Sequence, residues 1–307
     1  MKRLRIGTRG SRLALVQAAA TEAALEAAFP GCEVERVVIK TTGDRRTDVA
    51  LADVAKAEGI FDKGVFIKEL EIALADGRID VAVHSLKDVP TVLDGAFEIA
   101  AVLPRAPVRD VLVSRAETGI DGLDDGAMVG TSSVRRAKQL QWLRPGLEVR
   151  DIRGNVPTRL RKLAAGEFDA ILLAEAGLVR LGHAMDEAVE VDGVELHFHP
   201  LAEDAFLPAA GQGAIAYEIR AGDDAAREAV AAINDADTLL MVTAEREFLR
   251  LLDGGCHTPV GVFTRLEDGV LAMIGRVFPE EGGAPREGSA RGTEPLEVAR
   301  ELFESLS

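Results

Sequence analysis

Residues 6–12 read IGTRGSR, and residues 129–136 read VGTSSVRR. In each, a short apolar run ends in glycine, a turn with hydroxylated residues follows, and an arginine-bearing helix begins. A second pair of stretches matches in the same order, IDVAVHSLKDV at 79–89 against FDAILLAEAGL at 168–178. Working outward, strands are expected at 4–7, 34–39, 80–83 and 128–130, with helices at 12–29 and 134–143. Pro30 and Gly31 stop the first helix. Phe66, Leu70, Ala73 and Leu74 fall on one helical face that Gly77 ends. Residues 41–63 are polar and aperiodic and read as a long loop, a length associated with active-site lids. The alternation gives an α/β fold of two related doubly wound halves. Convergence of short βα turns is the plain alternative to a duplication.

Beyond Pro208 the pattern changes. Residues 209–220 read as a loop and strand, 223–233 and 236–252 as helices, 260–264 with 270–277 as a hairpin, and 294–306 as a closing helix. Residues 279–288 read as a Gly/Glu-rich turn. This C-terminal part is expected to be a small α+β domain.

The sequence has 307 residues, with 36 Lys and Arg against 51 Asp and Glu, a formal net charge of −15. Such a balance argues against a general nucleic-acid binder, which needs an excess of cations. No apolar stretch approaches the roughly 20 residues that span a bilayer. The start MKRLRIGTRG lacks the apolar run of a signal peptide, so none is expected. Two cysteines, Cys32 and Cys256, make no disulfide framework and fit a reducing cytoplasm. Any anion bound here must be held by local positive charge.

Such charge is clustered at the βα turns. Arg9 and Arg12 flank the first, Arg135 and Arg136 follow Thr131, Ser132 and Ser133, and Arg153 and Arg159 bracket a turn with Pro157. Ligands of open α/β sheets bind beyond the carboxyl ends of strands, where helix N-termini favour anions. Bidentate guanidiniums there suit a ligand with several carboxylates. Pairing of these arginines with surface carboxylates is the alternative. Asp88 lies past a buried strand beside Lys87 and near His84, where it reads equally as a proton-transfer group or a turn residue before Pro90. Cys256, after Gly254 and Gly255, suits covalent attachment, with a structural thiol as the alternative. His197 and His199 lack a third ligand at metal-site spacing, so no metal is expected. Residues 211–214 are too short to be a nucleotide loop on their own.

Taken together, RIGTRGSRLALVQ (5–17), KGVFIKELE (63–71), VAVHSLKDVP (81–90), GTSSVRRAKQL (130–140), IRGNVPTRL (152–160), LAEAGLVRLG (173–182), PAAGQGAIAYE (208–218), TAERE (243–247) and LDGGCHTPVG (252–261) resemble the porphobilinogen deaminase family. The resemblance implies a transferase that joins four porphobilinogen molecules head to tail into hydroxymethylbilane, a step of tetrapyrrole and heme biosynthesis that releases ammonia. It implies a covalent dipyrromethane cofactor on Cys256 and a catalytic carboxylate at Asp88. Cofactor contacts would come from Arg135, Arg136, Ser133, Lys87, Asp88 and Lys63. Substrate contacts would come from Arg9, Ser11, Arg153, Arg159, Arg180, Phe66 and Gln212. The family fold implies two hinged, periplasmic-binding-protein-like domains plus a small α+β domain: 1–103 with 205–221 returning to it, 104–204, and 222–307. A cytoplasmic monomer without metal, nucleic acid or membrane is expected.

Three places depart from the family pattern. The loop before residue 63 is longer, which leaves Lys56 as an alternative to Lys63. Residues 106–110 read APVRD, which loosens the role of Arg109, and His257 follows the cysteine. Two rival readings remain at this level. One is a two-lobed anion-binding protein without chemistry, and the other a metalloenzyme using His183, His197 or His199.

Overall fold

The computed structural model describes residues 3–41, 64–253, 258–279 and 283–306, with no side chain described at 64–66. The expected lid loop, Thr41 apart, and the turn holding Cys256 therefore lie outside the described residues. The chain forms two compact units, Met1–Ala106 with Gly213–Thr243, and Pro107–Gln212 with Ala244–Ser307.

In the first unit, β1 (Arg3–Arg9) runs into α1 (Arg12–Ala28). Ser11 is the N-cap, its hydroxyl accepting the Ala14 N–H at 3.3 Å, which satisfies one of the helix's free donors. There follow β2 (Glu33–Ile39), α2 (Gly64–Ala75), β3 (Val81–Ser85) and β4 (Phe97–Val102). Much later in sequence, β11 (Ile215–Arg220) and α6 (Asp224–Ala231) complete the unit. The sheet order is β2-β1-β3-β11-β4. β1 pairs in parallel with β2 and β3, whereas β11 is antiparallel to both β3 and β4. Leu4, Ile6, Val81, Val83, Tyr217 and Ile219 form the core under α1 and α6 with Ala18, Leu25 and Ala229.

The second unit repeats the plan. Its elements are β5 (Asp110–Ser114), β6 (Met128–Gly130), α3 (Val134–Leu143), β7 (Glu148–Arg150), α4 (Val156–Ala164), β8 (Ala170–Ala174), α5 (Glu175–Arg180), β9 (Val189–Val191) and β10 (Val194–Pro200). The order is β7-β6-β8-β5-β10-β9, again with a parallel trio and an antiparallel fourth strand. Both sheets are therefore mixed, with parallel and antiparallel neighbours. Ser133 caps α3 by accepting the Arg136 N–H, and Asn155 caps α4 by accepting the Thr158 N–H.

The repeat extends to individual atoms. Asp80 exchanges two bonds with the backbone of Arg5: its N–H donates to the Arg5 carbonyl, and its Oδ2 accepts the Arg5 N–H, both at 2.8 Å. Asp169 does the same with Met128, at 2.9 and 2.8 Å. Gly7 and Gly130 occupy equivalent positions for one reason. A Cβ on Gly7 would lie 2.3 Å from Ile79 Cδ1, and one on Gly130 would lie 2.9 Å from Phe168 Cδ1. The likeness between the two halves is thus a shared strand–turn–helix design in three dimensions.

Also in the second unit is a three-stranded antiparallel sheet of β12 (Val260–Glu267), β13 (Val270–Val277) and β14 (Arg286–Gly292), in that order. It is reached through α7 (Ala236–Leu251) and covered by α8 (Pro295–Ser305), which buries Val298, Ala299 and Leu302. Asp268 and Gly269 close the hairpin with positive φ values of 51° and 77°, as a two-residue turn matched to strand twist requires. β14 replaces the later part of the turn expected at 279–288. Its sequence, REGSARG, buries only Ala290, so it carries no alternating apolar signal. No helix among the described residues is long and apolar enough to cross a membrane.

The close approach at Gly7 yields a test. Gly7→Ala forces a methyl against the fully buried Ile79, and overpacking of this kind is expected to destabilise by about 1–3 kcal/mol. The urea midpoint should fall, and adding Ile79→Ala should recover part of it. Strictly additive losses in the double variant would contradict the steric account.

Candidate active site

In the first unit, β3 ends at Ser85 and the chain makes one 3-10 turn, Leu86–Asp88. Three contacts fix that turn. The Leu86 N–H donates to the Ala214 carbonyl at 3.0 Å, Val89 N–H closes onto the Leu86 carbonyl at 3.0 Å, and Gln17 Nε2 donates to Ser85 Oγ at 2.8 Å. Leu86 and Val89 are buried, so the turn is anchored by apolar side chains while Asp88 between them stays half-exposed. Asp88 lines a cavity of about 80 Å³ together with Arg9, Ser11, Gln17 and Ser85, with Ile67 and Val83 as apolar wall. A carboxylate that keeps solvent access beside a guanidinium, in a small cavity, can exchange protons with a bound anion. Below it, the buried His84 and Glu218 pair at 2.8 Å between β3 and β11. Burial, and then the Glu218 carboxylate, pushes Glu71 on α2 above the ordinary range.

The second unit holds a buried charge cluster. Asp110, the first residue of β5, is fully buried and receives Arg135 Nη1 at 2.6 Å on one oxygen. Its other oxygen receives Arg136 Nη2 at 2.6 Å and Gln212 Nε2 at 2.9 Å. Arg135 and Arg136 are only 5% and 6% exposed. Backbone carbonyls complete their shells, Leu207 for Arg135 at 2.6 Å and Leu172 for Arg136 at 2.9 Å. Burial alone would raise Asp110, but the two guanidiniums override it and hold the carboxyl far below the usual carboxylate range. Arg135 is lowered, chiefly by burial, which Asp110 only partly offsets. Two guanidiniums face one carboxylate, and among the described residues Arg135 Nε is buried without a hydrogen-bond partner. The cluster is thus built to accept a further anionic oxygen.

The other expected residues are placed as follows. Arg159 donates through Nε to the Gly154 carbonyl at 2.8 Å and reaches Ser132 Oγ at 3.5 Å. Arg153 donates to Asp151 at 3.1 Å, and Arg180 ends α5. Gln212 is fully buried, and its amide also donates to the Val108 carbonyl at 2.7 Å. Ser11 and Ser133 both act as N-caps, and Lys87 is half-buried beside Asp88. Phe66 falls in the first turn of α2, in a stretch whose side chains are not described, while Lys63, Lys56, Cys256 and His257 lie outside the described residues. The loosened Arg109 forms a bidentate pair with the buried Glu175 at 2.6 and 2.7 Å. His197 pairs with Glu195, and His199 with the Ala116 carbonyl. Sequence reasoning missed Asp110. The signal available was an acid directly after Arg109 at the head of an apolar run.

Two α/β sheets of one topology, a strand-end acid and a buried guanidinium pair define a protein class suited to ligands rich in carboxylates. Residues 4–228 match the family model described as porphobilinogen deaminase, dipyromethane cofactor binding domain, and residues 239–307 match that described as its C-terminal domain. A porphobilinogen deaminase of Syntrophobacter fumaroxidans is 46% identical over 98% of this chain and 94% of that protein. Those of Moorella thermoacetica and Rubrobacter xylanophilus are each 45% identical, over 100% and 99% of this chain and 93% of theirs. The chain belongs to the porphobilinogen deaminase family. The surplus buried charge and the orphaned Arg135 Nε fit a carboxylate-bearing group of the dipyrromethane kind.

The Asp110 cluster has a defined acid signature. A carboxyl held low in the folded state stabilises above its unfolded value near 3.9 and loses that contribution as pH falls toward the folded value. Asp110→Asn removes the only carboxylate of the triad, and is expected to destabilise at pH 7 by about 3–5 kcal/mol, the range for breaking a buried pair. Urea titrations from pH 7 to 3 should show that gap constant down to about pH 5 and narrowing below pH 4. A gap that widens toward acid would contradict the assignment.

Proposed function

We propose that this chain is a transferase that deaminates porphobilinogen and joins four molecules head to tail into hydroxymethylbilane, on a dipyrromethane held covalently by Cys256. The observation that carries the chemistry is Asp88, presented by the turn after β3 into a cavity shared with Arg9. When bound, the dipyrromethane supplies the pyrrole carbon to which the chain is added. Each extension forms one C–C bond, breaks one C–N bond, and passes the displaced α-proton to the departing amine as ammonia. In this reading Asp88 relays the proton: it gives one to the departing amine, stabilises as a carboxylate the cation left on the incoming ring, and is reprotonated by the α-proton once the C–C bond has formed. Every added ring brings an acetate and a propionate, so cationic partners must be ready in advance. Arg9, Arg153, Arg159 and Arg180 take substrate carboxylates in this proposal, with Ser11, Gln212 and Phe66 completing the site. Arg135 and Arg136 hold the cofactor, assisted by Ser133, Lys87 and Lys63.

The proposal divides the labour among residues 1–103 with 205–221, which carry the acid, 104–204, which carry the cofactor's guanidiniums, and 222–307, which carry the thiol. It places the reaction in the cytoplasm, in a monomer, with no metal. Support comes from the full-length family relationship, from the surplus charge at Arg135, and from the shared position of Asp88 and Arg9.

Intact mass of the purified protein tests the reading directly. The wild type is expected to exceed its sequence mass by two linked pyrrole units, and Cys256→Ser to match bare sequence. Equal masses for the two would reject Cys256 as the anchor. Asp88→Asn should keep the added mass yet turn over about 10²–10⁴-fold more slowly, the range for loss of a positioned proton-transfer group. Arg159→Ala should shift the ladder of enzyme-bound chain lengths toward one stalled species. An unchanged ladder would remove Arg159 from the site.

A further inference from the structure

One buried cation takes no part in the chemistry described so far. Arg276, on β13, is 6% exposed and touches residues from three other parts of the second unit. Its Nη1 donates to the Ala205 carbonyl at 2.7 Å and to Gln139 Oε1 at 3.3 Å, its Nη2 reaches the Asp204 carbonyl at 3.4 Å, and its Nε donates to Glu287. The guanidinium lies 4.6 Å from the centroid of the Trp142 ring. Gln139 and Trp142 both belong to α3, the helix that carries Arg135 and Arg136.

The contacts form a continuous joint. Gln139 brackets the Leu207 peptide, accepting its N–H at 2.8 Å and donating to its carbonyl at 3.0 Å. That carbonyl is the one Arg135 uses. β12 lies so close to the same segment that a Cβ on Gly261 would sit 2.6 Å from Leu207 Cβ, and the Val262 N–H donates to the Pro208 carbonyl at 2.9 Å. Two residues past Arg276, the Phe278 ring meets Trp142 edge-on at 6.1 Å while the Phe278 N–H donates to the Pro259 carbonyl at 3.1 Å. Pro259 follows directly on Thr258, where the chain emerges from residues 254–257. A path of contacts therefore runs from α3, through the exposed Trp142 and the buried Phe278, to Pro259 and Thr258.

We infer that Arg276 is a positioning residue for cofactor attachment: by clamping the C-terminal sheet to α3, it fixes where the chain bearing Cys256 emerges relative to the Arg135 and Arg136 pair. The inference rests on the proposed attachment at Cys256. The thioether forms when Sγ displaces the amine of an aminomethylpyrrole, the thiol proton leaving with it as ammonia. Attack and anion binding must coincide in space, so a joint between the two sets the rate. A misplacement near 1 Å can slow such a step about 10²-fold.

Trp142 is the only tryptophan in the chain, so its emission reports on the joint without labelling. Full-length protein made without porphobilinogen is mixed with porphobilinogen, and covalent mass gain is followed over time beside Trp142 emission. Arg276→Met, which keeps the apolar stem, is expected to stay folded by circular dichroism, shift the emission, and gain mass about 10²-fold more slowly. Arg276→Lys should fall between it and the wild type in both readouts, a graded rescue that a general loss of stability would not give. If Arg276→Met does not fold, Gln139→Glu reads the same joint, because it keeps the side-chain shape but removes the donor to Leu207. Wild-type rates of mass gain in the folded variants would overturn the inference. Mass gain persisting in Cys256→Ser would instead overturn the attachment itself, and the two failures are distinct.

Discussion

A carboxylate with no access to water sets the terms for the second unit. Asp110 is tolerable only as an anion between two guanidiniums, and those guanidiniums are tolerable only with further acceptors around them. The acceptors come from across the sequence: Leu172 on β8, Leu207 in the segment after β10, and Asp110 at the head of β5. Gln212 adds a donor to the same carboxylate. Electroneutrality is nevertheless incomplete, because two positive charges face one negative charge. That imbalance would be a liability in an ordinary core. In a site for a polycarboxylate it is a binding energy held in reserve, and every element that touches the cluster is constrained to maintain it.

The duplicated architecture explains how one design serves two tasks. In both halves a strand ends, a small turn follows, and a serine caps a helix. In both, an aspartate exchanges a pair of backbone hydrogen bonds with the neighbouring strand. The strand ends then diverge. After β3 the chain offers Asp88 to a cavity. After β8, the residue matching Leu86 is Glu175, which is buried and bound to Arg109. One half keeps its acid available and the other uses its acid to hold the scaffold. The two acids sit two positions apart in the matched stretch, Glu175 opposite Leu86 and Asp88 opposite Gly177, so the same strand end offers a carboxylate to a cavity in one unit and buries one in an ion pair in the other.

What could be read from the sequence follows from how local the physics is. The first helix and the helix at 134–143 were legible to within a residue, because a serine cap and a stop signal lie within the element itself. The antiparallel fourth strands were not, since β11 joins a sheet whose other strands lie more than a hundred residues earlier. Pattern inside a strand does not say which partner it will find. The same limit applied to the site. Arg135 and Arg136 stood out as a pair at a helix start, but their mutual dependence on Asp110 and Gln212 is a long-range fact. Arg276 gave no signal at all, because its partners are spread along the chain and two of the five are backbone carbonyls, which sequence does not display.

Those carbonyls bear on how an acidic protein can hold an anionic substrate. With a net charge of −15, the exterior repels anions at long range, but screening at physiological salt confines that repulsion to about 8 Å. Close contacts then decide binding. Several surface arginines are paired with carboxylates, as Arg36 is with Glu22, Arg227 with Glu98, and Arg250 with Glu247, so their charge is already matched. Arg159 donates to the Gly154 carbonyl, and Arg135 and Arg136 each add a carbonyl to their shared carboxylate. A carbonyl dipole orients a guanidinium without cancelling its charge. Arg153 is held by the exposed Asp151. Positive charge survives at the Arg135 and Arg136 pair because two guanidiniums share one carboxylate while backbone carbonyls complete their shells.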